Sequence, residues 1–534
     1  MQPHPVDDRI MGSELEFGFS GDAVASIVEH VNRVLIPPES RYRRCLLNQA
    51  RFEVDGPVPE YKSPECLGPR ELALHETAAV ELIGSAVSTL RLEEHYKDKK
   101  FSLYKADRNC QVEKTDLTRY EERKYKETPR DFYCPPNALG SCHSNYLTYR
   151  LVDINTIKKF LITFLLTRWT CIGNVWVEIG PENKLVAVLS QRAGLIGCLE
   201  NSSSNGEGRF KPLISTKDEA HADPNIWRRY HDVSGNQNMS QWQIYLKHAA
   251  MDLMFMMMET PNFLTPLPPI IDERFGSSAD LSQSPSQLTK TLDFFNADIF
   301  GERTVRLANG IWWRALDFQR YFISEVLRYK KECRGPFSEE REKGLQFWIQ
   351  ITDAIDRKDL NFLAQYLDWA AILHYAISPI LNRLGEELES FLGFSKKRIP
   401  YNTKVETGKG KVKIISYIHE IIIAYANVIT EKSPYGLLLE KGLIERLFSK
   451  EVVLGATTKP PTKTRASCRE ELVQWAKNQT GMTIFSDFWD IIVLERDGNK
   501  MNFLFKNPYC PHTEKLGSVY SHYNPLELLA NPAP

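Results

Sequence analysis

The sequence predicts an α+β fold with a smaller domain at its C-terminal end. Residues 10–19 alternate apolar and polar side chains with the period of two that is typical of a strand. Longer segments, such as 70–92 and 244–259, have the apolar spacing of helices. The chain has 534 residues, which is too long for one compact core, so a further unit is expected beside a large domain.

The composition excludes several classes of protein. Hydrophobic residues make up 42% of the chain and charged residues 25%, as in an ordinary globular protein. The apolar runs fall well short of the roughly 20 residues that a membrane span needs. A net charge of −1 offers no overall attraction for nucleic acid or an anionic membrane. Residues 1–8 lack the apolar segment of a secretion signal, so we expect a cytoplasmic protein without nucleic-acid or membrane partners.

The first predicted strand, residues 10–19, places two carboxylates on one face. A period of two sends Glu14 and Glu16 to one face of the strand and Leu15 and Phe17 to the other. Paired carboxylates offer the oxygen ligands that Mg²⁺ prefers. The alternative is a half-solvated strand, in which alternating charge is common.

A second acidic stretch occupies residues 51–66. It begins with a short alternating run and then places Asp55, Glu60 and Glu65 among three prolines. Because proline suits loops and edge strands, we expect a stiff loop that holds three carboxylates. Aspartate before Gly56 is also a common turn pairing, which is the structural alternative for Asp55.

The remaining elements follow in order along the chain. Helices are predicted at 23–35, 70–92, 154–168 and 244–259, within 313–392, and around 415–430. Strands at 175–178 and 185–189 are expected to form a hairpin that extends the main sheet. Another hairpin, 484–494 with 501–506, is expected to turn at Asp497-Gly498 within a C-terminal domain, 449–534, that follows a catalytic domain, 1–448.

Residues 395–413 form a basic segment, with seven lysines and arginines. The main interpretation is a solvated loop, and the alternative is a docking surface for an acidic partner.

Several short motifs occur in a fixed order along the chain. They are Met11-Gly-Ser-Glu-Leu-Glu-Phe-Gly18, Val54-Asp-Gly-Pro-Val-Pro-Glu-Tyr61, Gly140-Ser-Cys-His-Ser-Asn-Tyr-Leu147, Leu189-Ser-Gln-Arg-Ala193, Ile214-Ser-Thr-Lys-Asp-Glu-Ala-His-Ala-Asp223, Trp227-Arg-Arg-Tyr-His231 and Gly235-Asn-Gln-Asn-Met-Ser240. Weaker matches follow at 305–310, 367–369 and 460–466. The series resembles the Pup ligase and depupylase family, which belongs to the carboxylate-amine ligases related to glutamine synthetase. The resemblance implies a glutamine synthetase-like antiparallel sheet packed with helices.

The resemblance implies an ATP- and Mg²⁺-dependent ligase. Such an enzyme phosphorylates a glutamate side-chain carboxylate and transfers it to an amine, here a protein lysine, to form an isopeptide bond. The implied partners are a small acidic ubiquitin-like modifier, Pup-like, and lysine-bearing protein substrates. Phosphoryl transfer of this kind needs carboxylates and histidines that hold Mg²⁺ against the phosphates.

The resemblance also assigns roles to single residues. The expected metal ligands are Glu14, Glu16, Glu60 and His143. Asp55 matches the catalytic aspartate, a base for a substrate lysine whose unperturbed pKa of about 10.4 keeps it protonated. The expected nucleotide- or substrate-binding residues are Arg192, Arg209, Lys211, Lys217, His221 and Asn238.

The chain departs from the family pattern at several places. Lys211 and Lys217 stand where arginine is usual, which keeps the charge but loses the bidentate fork. Glu53 replaces a usual tyrosine and Ser144 a usual glutamate, and we expect Glu53 to offset the lost carboxylate if the two positions are close. The charged segment 107–137 stands where the family passes directly to its histidine motif, and we interpret it as an inserted loop.

The branch of the family is left open. Depupylases carry a long extra loop before the catalytic aspartate, whereas 38 residues separate Glu16 from Asp55 here, which favours a ligase. The short spacing from Asp55 to Pro59 resembles the depupylase branch, so an ATP-dependent amidohydrolase is the alternative. A ligase for small amino-acid or peptide substrates, and a nucleotide-binding scaffold without turnover, are further alternatives.

Overall fold

A computed structural model describes most of the chain. The described residues are 8–20, 24–35, 45–55, 58–94, 96–97, 102–105, 141–180, 183–202, 211–260, 262–265, 267–272, 274–275, 285–332, 337–392, 399–408, 410–485 and 489–509. The predicted insertion, 107–137, and Arg209 lie outside them.

The strands of the described residues fall into one large sheet and several small ones. They are β1 (Ile10–Glu16), β2 (Gly18–Ser20), β3 (Arg51–Asp55), β4 (Val58–Lys62), β5 (Cys66–Leu67), β6 (Ser102–Tyr104), β7 (Cys142–Tyr149), β8 (Trp176–Ile179), β9 (Leu185–Val188), β10 (Ile196–Asn201), β11 (Lys211–Ser215), β12 (Trp227–Gly235), β13 (Thr304–Arg306), β14 (Trp312–Arg314), β15 (Lys404–Thr407), β16 (Gly410–Lys413), β17 (Met482–Phe485), β18 (Ile491–Arg496) and β19 (Asn499–Leu504).

The helices occupy the segments between these strands. They are α1 (Val24–Leu35), α2 (Gly68–Leu90), α3 (Ile154–Thr167), α4 (Trp169–Ile172), α5 (Gln241–Met258), α6 (Pro285–Asn296), α7 (Ala315–Glu332), α8 (Glu339–Asp356), α9 (Leu360–Tyr366), α10 (Asp368–Ala371), α11 (Ser378–Arg383), α12 (Leu388–Leu392), α13 (Ile414–Tyr425), α14 (Pro434–Glu440), α15 (Lys450–Thr458) and α16 (Arg465–Lys477). A π-helical segment, Ile372–Ile377, joins α10 to α11. No helix of the described residues is long and apolar enough to cross a membrane.

The large sheet has the strand order β10-β11-β12-β7-β1-β4-β3, with β5 beside β1. Every pairing in it is antiparallel except that of β10 with β11. Helices α2 and α5 pack against each other behind it, and the methionine-rich α5 is buried on nearly every side. The α+β architecture predicted from the sequence is confirmed.

Four local predictions were wrong. The basic segment, interpreted as a solvated loop, contains the hairpin of β15 and β16. The proline-rich stretch is a hairpin of β3 and β4, and β4 is an inner strand because the Pro59 carbonyl still accepts a hydrogen bond from Phe17 at 2.7 Å. Proline removes only a donor. Strands β8 and β9 pair with each other in a sheet of their own. The run 484–494 is two strands, so the last sheet has three, although its turn at Asp497-Gly498 does have the expected positive φ angles.

A second hydrophobic core lies between α16 and the sheet of β17, β18 and β19. Val453 and Ala456 of α15 pack into the main core, and the second core starts at Cys468. The predicted domain boundary at residue 448 stays a prediction. Glu65 ties the two parts together through ion pairs of 2.6 Å to Arg465 and 2.6 Å to Arg469.

Candidate active site

Three neighbouring strands bring acidic residues and a histidine to one place. In the register of the sheet, Glu14 of β1 lies opposite Lys62 of β4 on one side and His143 of β7 on the other. Glu16 lies opposite Glu60. Because alternate residues of a strand share a face, the register groups these side chains over one side of the sheet.

Among the residues that the structure describes, two overlapping groups have ligand atoms within 4.8 Å of one another. The first group is Glu14, His143 and His231, and the second is Glu16, Glu60 and His143. The four residues that the sequence predicted as metal ligands therefore lie together, joined by His231 of β12.

His143 stands at the centre of both groups. Its Nδ1 lies 3.2 Å from Glu14 Oε2, and its Nε2 lies 2.9 Å from Ser141 Oγ. Arg192 Nη2 approaches the same Nε2 at 3.3 Å, and Glu16 Oε1 lies 4.0 Å away. The Ser141 hydroxyl donates to Glu16 at 2.5 Å, so the side chains of β1 and β7 hold one another in place.

The two oxygens of Glu14 have different surroundings. Oε1 accepts from Asn145 at 3.1 Å and from Arg229 at 3.5 Å, whereas Oε2 faces His143 and His231. Burial raises the pKa of Glu14, but hydrogen bonds from the two histidines outweigh it and hold the pKa well below its usual value. Glu14 is therefore an anion at neutral pH.

Glu60 differs from Glu14. Its carboxyl group is buried, and burial together with the charge of Glu14 raises its pKa to about 8. Lys62 Nζ lies 2.9 Å from Glu60 Oε2 and also forms an ion pair with Glu53. Lys62 thus places a positive charge beside one of the predicted metal ligands.

The predicted basic residues take different positions. Arg192 is buried and donates from Nε to the Val233 carbonyl at 3.0 Å. Lys211 is half-buried, and burial followed by the charge of Arg192 lowers its pKa to about 8. Lys217 is more exposed and forms an ion pair of 3.2 Å with Glu219.

His221 and Asn238 also differ in position. His221 has a positive φ of 47°, lines the cleft described next, and accepts a hydrogen bond from Arg465 through its backbone carbonyl. Asn238 is fully buried and donates from Nδ2 to the Ile172 carbonyl at 3.3 Å, and it does not line that cleft. Its role in nucleotide binding stays a prediction.

A cleft of about 350 Å³ lies over these groups. Its floor includes Glu14, Glu60 and His143, and Asp55 lines it from the exposed end of β3. Arg465 of α16, Trp489 and Pro508 line it as well. Loop residues, Lys217 and His221 among them, form another side.

The expectation that Glu53 offsets the carboxylate missing at Ser144 was wrong. Glu53 lies opposite Glu60 on β3 and pairs with Lys62. Ser144 lies on β7, directly opposite Asp232 of β12 in the register, and Asp232 is held by Arg168 at 2.7 Å. Strands β3 and β7 are separated by β1 and β4 in the sheet, so the Glu53 carboxylate does not replace the one that is missing at Ser144.

Sequence reasoning missed several side chains of the site. Arg229 and His231 approach Glu14 from β12, Asn145 donates to Glu14 from β7, and Lys62 contacts Glu60. Two of them could have been predicted from the sequence. The motif Trp227-Arg-Arg-Tyr-His231 places Arg229 and His231 two residues apart, and therefore on the same face of a strand. The signal for Lys62 was absent, since its contacts depend on the strand register.

Comparisons with known proteins identify the family of the chain. The family model of the Pup-ligase protein matches residues 26–112, 137–387 and 402–492. A Pup--protein ligase of Kineococcus radiotolerans is 26% identical over 484 residues, which cover 89% of this chain and 91% of that protein. A Pup--protein ligase of Kribbella flavida is 27% identical over 521 residues, which cover 96% of this chain and 98% of that protein.

Two solved structures share the fold. The chain is similar to the complex of the prokaryotic ubiquitin-like protein Pup with its ligase PafA, with a TM-score of 0.73, 19% identity and coverage of 99% of this chain and 96% of that one. PafA in complex with ADP gives a TM-score of 0.66 at 21% identity and covers 90% of both chains. The family model covers well over half of the sequence, and the resemblance found in its motifs is thereby confirmed. The chain belongs to the Pup-ligase protein family.

Proposed function

We propose that this protein is an ATP- and Mg²⁺-dependent ligase that joins a glutamate side-chain carboxylate of a small Pup-like modifier to a protein lysine. The observation that carries the proposal is the cluster at the cleft, where Glu14, Glu60 and His143 line the floor, Glu16 lies beside Glu60 and His143, and Arg192 contacts His143. Family membership and relatives named Pup--protein ligase support it. The proposal includes an isopeptide bond as the product.

The donor set fits a divalent cation. Carboxylate oxygens dominate it, as Mg²⁺ prefers. His231 is buried; its Nε2 lies 3.5 Å from Glu14 Oε2, whereas its Nδ1 has no hydrogen-bond partner among the described residues. Buried polar groups are rarely left unpaired, so a bound ion at this place would satisfy an imidazole that the protein alone does not. When bound, Mg²⁺ neutralises charge on the phosphates of ATP.

Cationic side chains stand beside the proposed metal ligands. Arg192 is close enough to Lys211 for its charge to lower the pKa of the lysine. Lys217 lies at the rim of the cleft. We assign phosphate or substrate-carboxylate binding to these residues and to Arg209. A metal–nucleotide complex is bound by carboxylates that hold the metal ion and by nearby cationic side chains that hold the phosphates.

Asp55 is the proposed base. It lies at the solvent-exposed end of β3 and lines the cleft, so a lysine on the surface of a large protein can reach it. The lysine must lose a proton before its nitrogen attacks the activated carboxylate, and a carboxylate at the rim can accept that proton.

The test is a conjugation reaction. The purified chain is incubated with ATP, Mg²⁺, a Pup-like modifier that ends in glutamate and a lysine-bearing protein, and the products are analysed by mass spectrometry. We expect an isopeptide between the modifier and a lysine, lost in Glu16→Ala and retained in Glu339→Gln, an exposed carboxylate on α8 outside both metal groups and the cleft. Cleavage of a preformed conjugate without conjugation would instead favour the amidohydrolase.

A further inference from the structure

Lys62 forms an ion-pair bridge between two strands at the edge of the proposed metal site. Its Nζ lies 2.9 Å from Glu60 Oε2 and contacts the Glu53 carboxylate as well. Its side chain is 26% exposed, whereas that of Glu60 is 2% exposed. The ammonium group therefore reaches from the cleft onto a buried carboxylate.

The strand register explains why a cation is needed there. Glu53 of β3 lies directly opposite Glu60 of β4, and Glu60 lies directly opposite Glu16 of β1. Like charges at directly opposite positions of an antiparallel pair repel each other. Lys62, two residues beyond Glu60 on the same strand face, supplies the compensating charge.

The two metal groups differ in their relation to this lysine. Glu60 belongs to the group with Glu16 and His143, so an ion there must share Glu60 with the Lys62 ammonium. In the first group, Glu14 also has a cationic neighbour, Arg229, which lies 3.5 Å from Oε1. The oxygen of Glu14 that faces His143 and His231 is Oε2, so Arg229 does not contact the oxygen on the histidine side. The Lys62 ammonium thus competes with an ion for Glu60 itself, whereas Arg229 contacts the oxygen of Glu14 that does not face the two histidines.

We propose that Lys62 is a built-in cation of the metal site, which occupies Glu60 and makes the group of Glu14, His143 and His231 the tighter site for a divalent ion. This inference rests on the proposed function only in requiring a divalent ion in the cleft. Glu53 acts as a positioning residue, because it holds the ammonium from the opposite strand. The chain then binds one divalent ion tightly and a second one weakly.

The test counts divalent ions without turnover. Mn²⁺, which takes the same oxygen-rich ligands as Mg²⁺, is titrated into the nucleotide-free protein, and free Mn²⁺ is followed by electron paramagnetic resonance. We expect one tight ion in the wild type. We expect Lys62→Met, which keeps the length of the side chain but not its charge, to bind a second ion at least about tenfold more tightly than the wild type does. Lys404→Met removes the same charge from the exposed β15 and should behave as the wild type.

Two further variants locate the ions. Glu14→Gln should remove the tight ion from the wild type, whereas Glu14→Gln with Lys62→Met should still hold one ion at Glu16, Glu60 and His143. Glu53→Gln with Lys62→Met removes one negative and one positive charge, so the net charge of β3 and β4 stays the same. If this double variant still binds the second ion more tightly than the wild type does, the gain in affinity comes from Glu60 and not from an ion bound to Glu53.

The outcomes separate this inference from the proposed function. Equal ion number and affinity in the wild type, in Lys62→Met and in Glu53→Gln with Lys62→Met would overturn the role of Lys62 and leave the metal site standing. Mn²⁺ binding to none of the proteins would overturn both the role of Lys62 and the metal site.

Discussion

The two faces of strand β7 differ in how their polar side chains are paired. His143 and Asn145 point to the cleft, and Cys142, Ser144 and Tyr146 point to the helices behind the sheet. Both faces carry charged neighbours. On the rear face each charge meets an opposite charge, whereas on the cleft face charges of the same sign lie side by side.

The rear face is a closed network. Glu76 of α2 lies 3.6 Å from Lys247, 3.4 Å from Lys105 and 2.8 Å from His248 Nε2, all fully buried. The ring of His248 continues the network through a 3.0 Å hydrogen bond between Nδ1 and the Tyr146 hydroxyl. Burial raises the pKa of Glu76, but the two lysines outweigh it, so the pKa falls below its usual value. Because these groups are buried, removing one partner would leave an uncompensated charge in the interior, which is strongly destabilising.

On the cleft face, the charged and titratable side chains are not all paired with opposite charges. Burial lowers the pKa of His231 to about 4, and burial with the charge of Glu14 raises that of Glu60 to about 8. Groups whose pKa values are displaced in opposite directions within one cleft are typical of functional sites. The comparison indicates that loss of a charge on the rear face should lower the stability of the fold, whereas loss of a charge on the cleft face should impair binding.

The largest expected effect is on the cleft face. Glu16→Ala should remove Mg²⁺-dependent ATP turnover, because loss of metal-assisted charge stabilisation costs several kcal/mol, on the order of 10³-fold in rate. The urea midpoint should stay equal or rise, since a crowded carboxylate has been removed. Turnover and urea unfolding, measured on the same preparation, check both parts, and a variant that keeps wild-type turnover would remove Glu16 from the metal group.

Asp55→Asn should separate binding from amide chemistry at the rim of the cleft. Asparagine keeps the shape of aspartate but cannot accept a proton from an ammonium group, so conjugate formation should fall by about 10²- to 10⁴-fold. ATP affinity, measured by calorimetry, should stay near the wild-type value. A parallel loss of ATP affinity would place Asp55 among the metal ligands, and an unchanged rate would leave it a turn residue.

Glu76→Gln should have the opposite signature on the rear face. It leaves Lys105 and Lys247 without their shared anion, and breaking a buried ion pair costs about 3–5 kcal/mol of stability. We expect a lower urea midpoint and near-normal turnover per folded molecule. Glu81→Gln, on the same helix and outside this network, is the matched control. Lost turnover at unchanged stability would contradict the division between the two faces.

Alternation along one strand was enough to predict part of the site. The period of two at residues 10–17 placed Glu14 and Glu16 on one side and buried Leu15 and Phe17 on the other. The family and the fold class, both predicted from the motifs, are confirmed. These features depend on local order along the chain, which a sequence displays directly.

Features that depend on register were not predictable in this way. The contact of Lys62 with Glu53 and Glu60 joins two strands, and the neighbourhood of Ser144 and Asp232 joins two others. The prediction for β4 was also wrong because proline was expected to exclude an inner strand. Proline lacks only the N–H donor, and the Pro59 carbonyl still accepts a hydrogen bond from Phe17 of the neighbouring chain segment. A one-residue change of register would move each of these side chains to the other face.

The smallest expected effect is a change in pH dependence at Lys211, on β11. Burial and the charge of Arg192 lower its pKa to about 8, so the ammonium of the free protein loses its proton as the pH rises through 8. If Lys211 binds phosphate, ATP affinity should fall between pH 7 and 9, by at most about tenfold per pH unit for one proton. Lys211→Arg stays charged throughout this range, so its ATP dissociation constant should be nearly flat. Lys217→Arg makes the same replacement at the exposed rim and should keep the wild-type slope. Calorimetric titrations at several pH values measure all three proteins, and parallel profiles for the wild type and Lys211→Arg would show that the ammonium of Lys211 does not contact the nucleotide.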